Sequence, residues 1–262
     1  MAKSMKQQLL INNECMIKKI SFVLFVLIST NIALAQQTDA NSIRGFRISE
    51  LKSEKMKETC EYYQIAGFLK LPVNFDRKYR SYLIKNNLQN MRPYPYRHVN
   101  DESPFYVNVN KKNMKRNDKD SRIYLFNQTS GNYVVGVVMA IAPGYEAVKR
   151  WLVTFSFSGD VIDYIPIYET FAQSYVMESQ VNQDFSVDVN HIDFPGNDYI
   201  VKDYKPLDNL KGQRIDTKYR ITPEGKFEKL SEVHYQPQIY TPAMLLDKTT
   251  NIRDRNERRL NK

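Results

Sequence analysis

Histidine and cysteine are scarce in this chain, at three and two among 262 residues. His98, His191 and His234 have no partner at i+2 or i+4, and there is no His-Glu-x-x-His run. A zinc site would have to assemble from distant positions, so each histidine is expected to be an ordinary surface or strand residue. No nucleotide-binding motif is present either, and no cofactor is expected. The two cysteines, Cys15 and Cys60, fall on opposite sides of an apolar segment, and removal of that segment would leave Cys60 alone. An intramolecular disulfide is then excluded, and stability must come from an ordinary core. Cys60 is expected to be a buried or unremarkable cysteine at a helix end, with nothing local to activate its thiol; the alternative is a reactive thiol or one paired between chains. Long hydrophobic runs are also missing. The longest after residue 35, Val134 to Ala142, has nine residues, whereas a membrane helix needs about 20.

The apolar segment itself has the form of a secretory signal. Lys18 and Lys19 precede Ile20-Ser-Phe-Val-Leu-Phe-Val-Leu-Ile28, and Ala33-Leu34-Ala35 supplies the small-x-small cleavage pattern. Residues 1–35 are therefore expected to be a signal peptide cut after Ala35, its true start being Met16 or Met5; the alternative is an uncleaved N-terminal anchor. Cys15 precedes the hydrophobic region, so it cannot be the lipidated cysteine of a lipoprotein. The expected product is soluble, either periplasmic or secreted, with no stable membrane span.

Lysine and arginine exceed aspartate and glutamate by nine. Part of the excess belongs to the signal. In Lys111 to Arg122, six basic residues outnumber Asp118 and Asp120 by four; in Asn251 to Lys262, five outnumber Asp254 and Glu257 by three. Without an interleaved aromatic platform this is no nucleic-acid footprint, and a solvated loop and a solvated tail are expected.

Periodicity divides the chain into a helical segment over 36–100, an antiparallel β domain over 101–240 and a basic tail over 241–262. Ser49 to Tyr63 reads as a helix ended by Gly67, and Lys78 to Met91 as a second helix ended by Pro93 and Pro95. From Phe105 the period becomes two. Tyr133 to Ile141 is almost wholly apolar, as in a strand covered on both faces. Trp151 to Phe157, the Ser158-Gly159-Asp160 turn and Val161 to Tyr168 form one hairpin. Ile215 to Ile221, Pro223-Glu224-Gly225 and Phe227 to Tyr235 form another. Phe185 to Asn190, Tyr175 to Val181 and Tyr199 to Tyr204 add further strands. The expected class is mainly β: an antiparallel meander forming a sandwich, barrel or propeller-like sheet, with a small helical N-terminal part.

Candidate chemistry is thin, and no catalytic residue can be assigned. Phe155-Ser-Phe-Ser-Gly159 lacks the first glycine of a nucleophile elbow and lies on a strand and turn. Asp188, Asn190 and Asp193 belong to an oxygen-rich stretch suited to calcium, without EF-hand spacing. The most distinctive cluster is Arg92-Pro-Tyr-Pro-Tyr-Arg-His98. Its prolines stiffen the backbone, so Tyr94 and Tyr96, flanked by Arg92 and Arg97, could present flat faces to a sugar or peptide.

The Lys-Lys signal, the helical start and turns such as Phe157-Ser-Gly-Asp160 and Thr222-Pro-Glu-Gly-Lys-Phe227 resemble uncharacterised exported proteins of Bacteroidota. That resemblance implies an envelope protein without assigned catalytic residues. The expected function is non-catalytic binding of a ligand or partner at the envelope, a glycan or an envelope protein. The alternatives are a hydrolase of glycan or peptide with dispersed catalytic residues, and a structural subunit of a surface assembly.

Overall fold

A computed structural model describes residues 43–96, 105, 121–141, 147–171, 174–195 and 209–260. The expected signal peptide, the Tyr199 to Tyr204 strand, the Lys111 to Arg122 loop before Ser121, Arg97 and His98 lie outside the described residues. So does the strand at Phe105 to Val109, apart from Phe105.

The chain is mainly β. The short strand β1 (Arg44–Gly45) precedes the helix α1 (Glu54–Ala66), the strand β2 (Val73–Phe75), the helix α2 (Tyr79–Lys85) and the strand β3 (Tyr94–Pro95). Then come β4 (Arg122–Leu125), β5 (Gln128–Thr129), β6 (Tyr133–Ile141), β7 (Ala147–Ser156), β8 (Val161–Phe171), β9 (Ser174–Val181) and β10 (Val187–Asp193). Last are β11 (Leu210–Ile221), β12 (Phe227–His234), β13 (Gln238–Tyr240) and the helix α3 (Pro242–Leu246). One 11-stranded antiparallel sheet runs β12-β11-β10-β9-β8-β7-β6-β4-β3, with β13 on β11 and β2 on β9.

The apolar run Val134 to Ala140 is buried throughout, and Trp151 to Phe155 beside it is buried too. Side chains of both parities are thus out of water, as the nearly continuous apolar sequence of β6 requires. At Gly136 a Cβ would stand 2.9 Å from Leu125 Cδ2 and 3.0 Å from the Tyr124 carbonyl, so β4 can lie against β6 only at a glycine.

Three hairpins turn in the same way. In each, the first residue's N–H bonds to the carbonyl four residues on, and the fourth residue's N–H bonds back. These pairs are Ser156/Asp160, Asn182/Ser186 and Thr222/Lys226, all at 2.8 Å. The fourth residue takes positive φ: Gly159 at 90°, Gly225 at 82° and Phe185 at 59°. This is the three-residue hairpin loop with a left-handed position, usually glycine. Phe185 accepts the strain because its ring is fully buried edge-to-face against Phe126.

Among the described residues β12 and β3, the sheet's two ends, are not bonded to each other, so the sheet is open rather than a closed barrel. It folds over itself instead, in sandwich fashion. The β11–β12 turn sits on β7 and β8, where Thr154 Oγ1 donates to the Gly225 carbonyl (2.6 Å) and the Phe227 N–H donates to Asp163 Oδ2 (2.9 Å). At β9 the sheet forks: β8 pairs with residues 174–177, while β2 takes the same edge from 179 to 181.

The helices differ from expectation in their limits. Ser53, not Ser49, caps α1 through the Met56 N–H, and Ile48–Glu50 is a 3-10 turn closed by Glu50 on the Arg47 N–H. Met56, Thr59, Cys60 and Tyr63 then face the core at helical spacing. The helix α2 stops at Lys85, and Asn87 takes φ 58°.

The expected solvated tail is instead a packed segment. Leu245 of α3 and Ile252 are fully buried with Val176, Ile192, Phe194 and Tyr240. Its arginines are tied down as well: Arg253 bonds Asp76 Oδ2 (3.2 Å) and Gln180 Oε1 (3.2 Å), and Arg255 donates to the Met244 carbonyl (2.5 Å). Arg214 on β11 donates to the carbonyls of Arg253 and Arg255. Arg253 and the bonds from Arg214 thus fasten this segment to the sheet, while Arg258 and Arg259 stay exposed. No helix among the described residues is long and apolar enough to cross a membrane.

Candidate functional site

The fork at β9 gathers two arginines and a run of aromatic rings. Arg77, between β2 and α2, reaches into it with a side chain only 3% exposed. Its Nη1 pairs with Glu178 Oε1, its Nε donates to the Asp247 carbonyl (2.6 Å), and its guanidinium lies 4.1 Å from the Tyr175 ring centre. The other Glu178 oxygen accepts the Ile252 N–H at 2.7 Å. Burial pulls the Arg77 pKa down, and the charge of Arg255 adds to the effect. Glu178 matches its charge and the pair locks β2, β9 and the C-terminal segment together, although Arg77 Nη2 is itself buried without a hydrogen-bond partner.

Arg150 has no such partner. It stands on β7 opposite Met139 of β6 and Tyr168 of β8. Its guanidinium lies 4.4 Å from the Tyr168 ring centre, 4.6 Å from that of Tyr79 on α2 and 5.8 Å from that of Phe75. Among the described residues no carboxylate is within ion-pair distance. Nε and Nη1 are buried without a hydrogen-bond partner, and the Tyr79 hydroxyl is buried and unpartnered too. Burial pushes the Tyr79 and Tyr168 phenols up from their ordinary value, so neither supplies a phenolate at neutral pH. The site therefore carries one uncompensated positive charge between aromatic faces. Donors left without acceptors in such surroundings are costly unless a ligand fills them.

Tyr168 and Tyr175 meet edge-on at 6.3 Å, which joins the two arginines through their rings, and Tyr82 continues the row beyond Tyr79. Arg150 and Arg77 both act on the Tyr168 phenol. Nothing in the group is a nucleophile next to a base. The arrangement can hold an anion.

The sequence-derived candidates go elsewhere. The Arg92 carbonyl accepts the hydroxyls of Tyr62 (3.1 Å) and Tyr63 (3.3 Å), and the Tyr94 N–H donates to Tyr63 Oη (3.0 Å). Tyr96 packs on Phe105 and Phe155, and burial pushes its phenol up to about 12. Arg92, Tyr94 and Tyr96 thus bind their loop to α1 and the sheet, while Arg97 is outside the described residues. Asp188 and Asn190 share one face of β10, but strand alternation puts Asp193 on the other. Asp188 accepts from Asn182 Nδ2 at 2.8 Å. No cluster of three His, Cys, Asp or Glu suited to a metal occurs among the described residues.

The remaining reactive types are also placed. Cys60 is fully buried, its thiol pushed up to about 12 by burial. Ser156 Oγ accepts the Asp160 N–H of its own turn at 3.2 Å. His234 bonds Glu232 at 2.9 Å, and His191 is largely buried on β10.

Arg77, Tyr79, Arg150 and Tyr168 were not singled out by sequence reasoning. The available signal was Lys149-Arg150 inside a strand whose other residues are apolar or aromatic apart from Thr154 and Ser156. A charge at a position that the fold must cover is the informative exception. Comparison with protein-family models, with curated proteins and with solved structures finds no match to this chain.

Proposed function

We propose that this chain is an exported envelope protein that binds a ligand without transforming it, at the arginine–tyrosine nest around Arg150. The observation that carries the proposal is the Arg150 guanidinium itself, held between Tyr79 and Tyr168 with two buried N–H donors unfilled. An arginine kept in this state is poorly explained by stability, because the neighbouring Arg77 shows how the same fold neutralises a buried cation when it needs to. The basic, apolar and Ala33-Leu34-Ala35 pattern of the first 35 residues supports export. Ligands within reach of an envelope protein are fragments of glycan or of protein.

The outer edge of β12 speaks against assembly through strand addition. The register with β11 shifts after Lys218, leaving Leu230 as a bulge, Lys229 stands beside it, and residues 258–260 cover the end at His234 to Gln236. Bulges, edge lysines and covering strands are how proteins block edge pairing.

The test is native mass spectrometry of residues 36–262 with acidic oligosaccharides and peptides. Adducts of unchanged ligand mass that weaken in Arg150→Met are expected. Cleaved fragments, or adducts that persist equally in Arg150→Met, would overturn the proposal.

A further inference from the structure

The unmatched charge and the shape of its surroundings limit what the nest can take. Resting on the binding function proposed above, we infer that the group it recognises is a planar monocarboxylate, carried by a sugar acid or by an acylated amino acid.

Charge is the first constraint. Arg77 is matched by Glu178, and Tyr79 and Tyr168 stay neutral, so the nest presents a single excess positive charge. A carboxylate cancels it. A phosphate monoester carries about −1.5 to −2 at neutral pH and would leave an uncancelled negative charge beside the rings.

Geometry is the second constraint. The guanidinium is a flat fork whose donors point outward in its own plane. The Tyr79 and Tyr168 ring centres lie 4.6 Å and 4.4 Å from its central carbon. Nε and Nη1 lack acceptors, and each forms a two-pronged donor pair with Nη2. A carboxylate is itself flat and can accept two parallel N–H bonds from such a pair. Sulfate and phosphate can accept such a pair of bonds as well, so charge is what separates them from a carboxylate. The third unfilled atom, the Tyr79 hydroxyl, adds one neutral donor for a second bond to the same group.

No bond is made or broken in this recognition. Tyr175 and Tyr82, farther along the row of rings, are only partly buried. These rings offer apolar faces to a sugar or a short acyl chain.

Isothermal titration of the mature protein with sodium glucuronate, N-acetylalanine, inorganic phosphate and sulfate tests the inference. Each anion is compared in wild type, Arg150→Met and Arg150→Lys. Glucuronate or N-acetylalanine is expected to bind wild type at least tenfold more tightly than phosphate or sulfate, and whichever of the two binds better identifies the source. The preference should vanish in Arg150→Met and fall at least tenfold in Arg150→Lys, which keeps the charge without the fork. Thermal melts without ligand establish that both variants are folded. Phosphate or sulfate binding as tightly as either carboxylate would overturn the ligand class and leave binding at Arg150 intact. Identical titrations of wild type and Arg150→Met would overturn the site, and the proposed function with it.

Discussion

Arg150→Met should leave the ligand-free protein at least as stable as wild type, although it removes a side chain that touches three aromatic rings. Two energies of opposite sign meet at this residue. The Tyr79 and Tyr168 contacts, at 4.6 and 4.4 Å, are each worth about 1–2 kcal/mol if desolvated. Against them stand a penalty of several kcal/mol for a buried ion with no counter-charge and about 1–3 kcal/mol for each donor left unsatisfied. Nε and Nη1 are two such donors. Methionine fills much of the same volume and keeps favourable contact with the rings. The net expectation is a gain of about 1–3 kcal/mol, nearer the low end because Arg150 keeps part of its surface in solvent. In a chain of this length each kcal/mol moves the melting midpoint by about 2–4 °C. Urea unfolding followed by tryptophan fluorescence measures it, because Trp151 is the only tryptophan and lies beside the mutated position. The slope should not change, which confines the effect to stability. A loss of more than about 1 kcal/mol would refute the reasoning: Arg150 would then be a compensated structural cation, not a binding group.

Glu178→Gln should act in the opposite direction, destabilising by about 3–5 kcal/mol, because it strands Arg77 at 3% exposure; urea unfolding reads this. At Phe185, where φ is 59°, the usual preference for alanine over glycine should invert. Phe185→Gly is expected to be more stable than Phe185→Ala by about 1 kcal/mol, both being well below wild type in thermal melts. The Cys60 thiol, fully buried and pushed up to about 12, should not react with a thiol reagent at pH 8 until the protein is unfolded. His191 gives a pH dependence. Burial lowers its pKa below the ordinary 6.5, so the unfolded chain binds a proton more readily than the folded one. Stability from this source is complete above pH 6.5 and is lost as the pH falls below it, and His191→Gln should flatten that part of the profile.

Much of the β architecture was legible because apolar alternation and turn residues are local signals. The strands around Trp151 and Ile215 and the all-apolar β6 come directly from such patterns. The β9–β10 hairpin was less visible because Phe185 occupies the position that glycine marks in the other two turns. Its contact with Phe126, far away in sequence, is what allows that substitution. The C-terminal segment misled for a related reason. Arg253 and Arg255 look like a solvated charge run until Asp76, Gln180 and the Met244 carbonyl are brought opposite them. The Arg92 to Arg97 cluster was conspicuous for its prolines and tyrosines; Tyr94 lies against Tyr62 and Tyr63, and Tyr96 against Phe105 and Phe155. The nest around Arg150 was hidden because its members come from β2, α2, β7 and β8, and no spacing rule connects them.

Binding at Arg150 is tested most directly by NMR detection of the arginine Nε–H signals during titration with sodium glucuronate and N-acetylalanine. The Arg150 Nε–H should move downfield and saturate with one of the two, as an unfilled donor gains a charged acceptor, while Arg77, already engaged with Asp247 and Glu178, stays in place. An Arg150 signal that remains unmoved while both acids are raised to saturating concentration would contradict it.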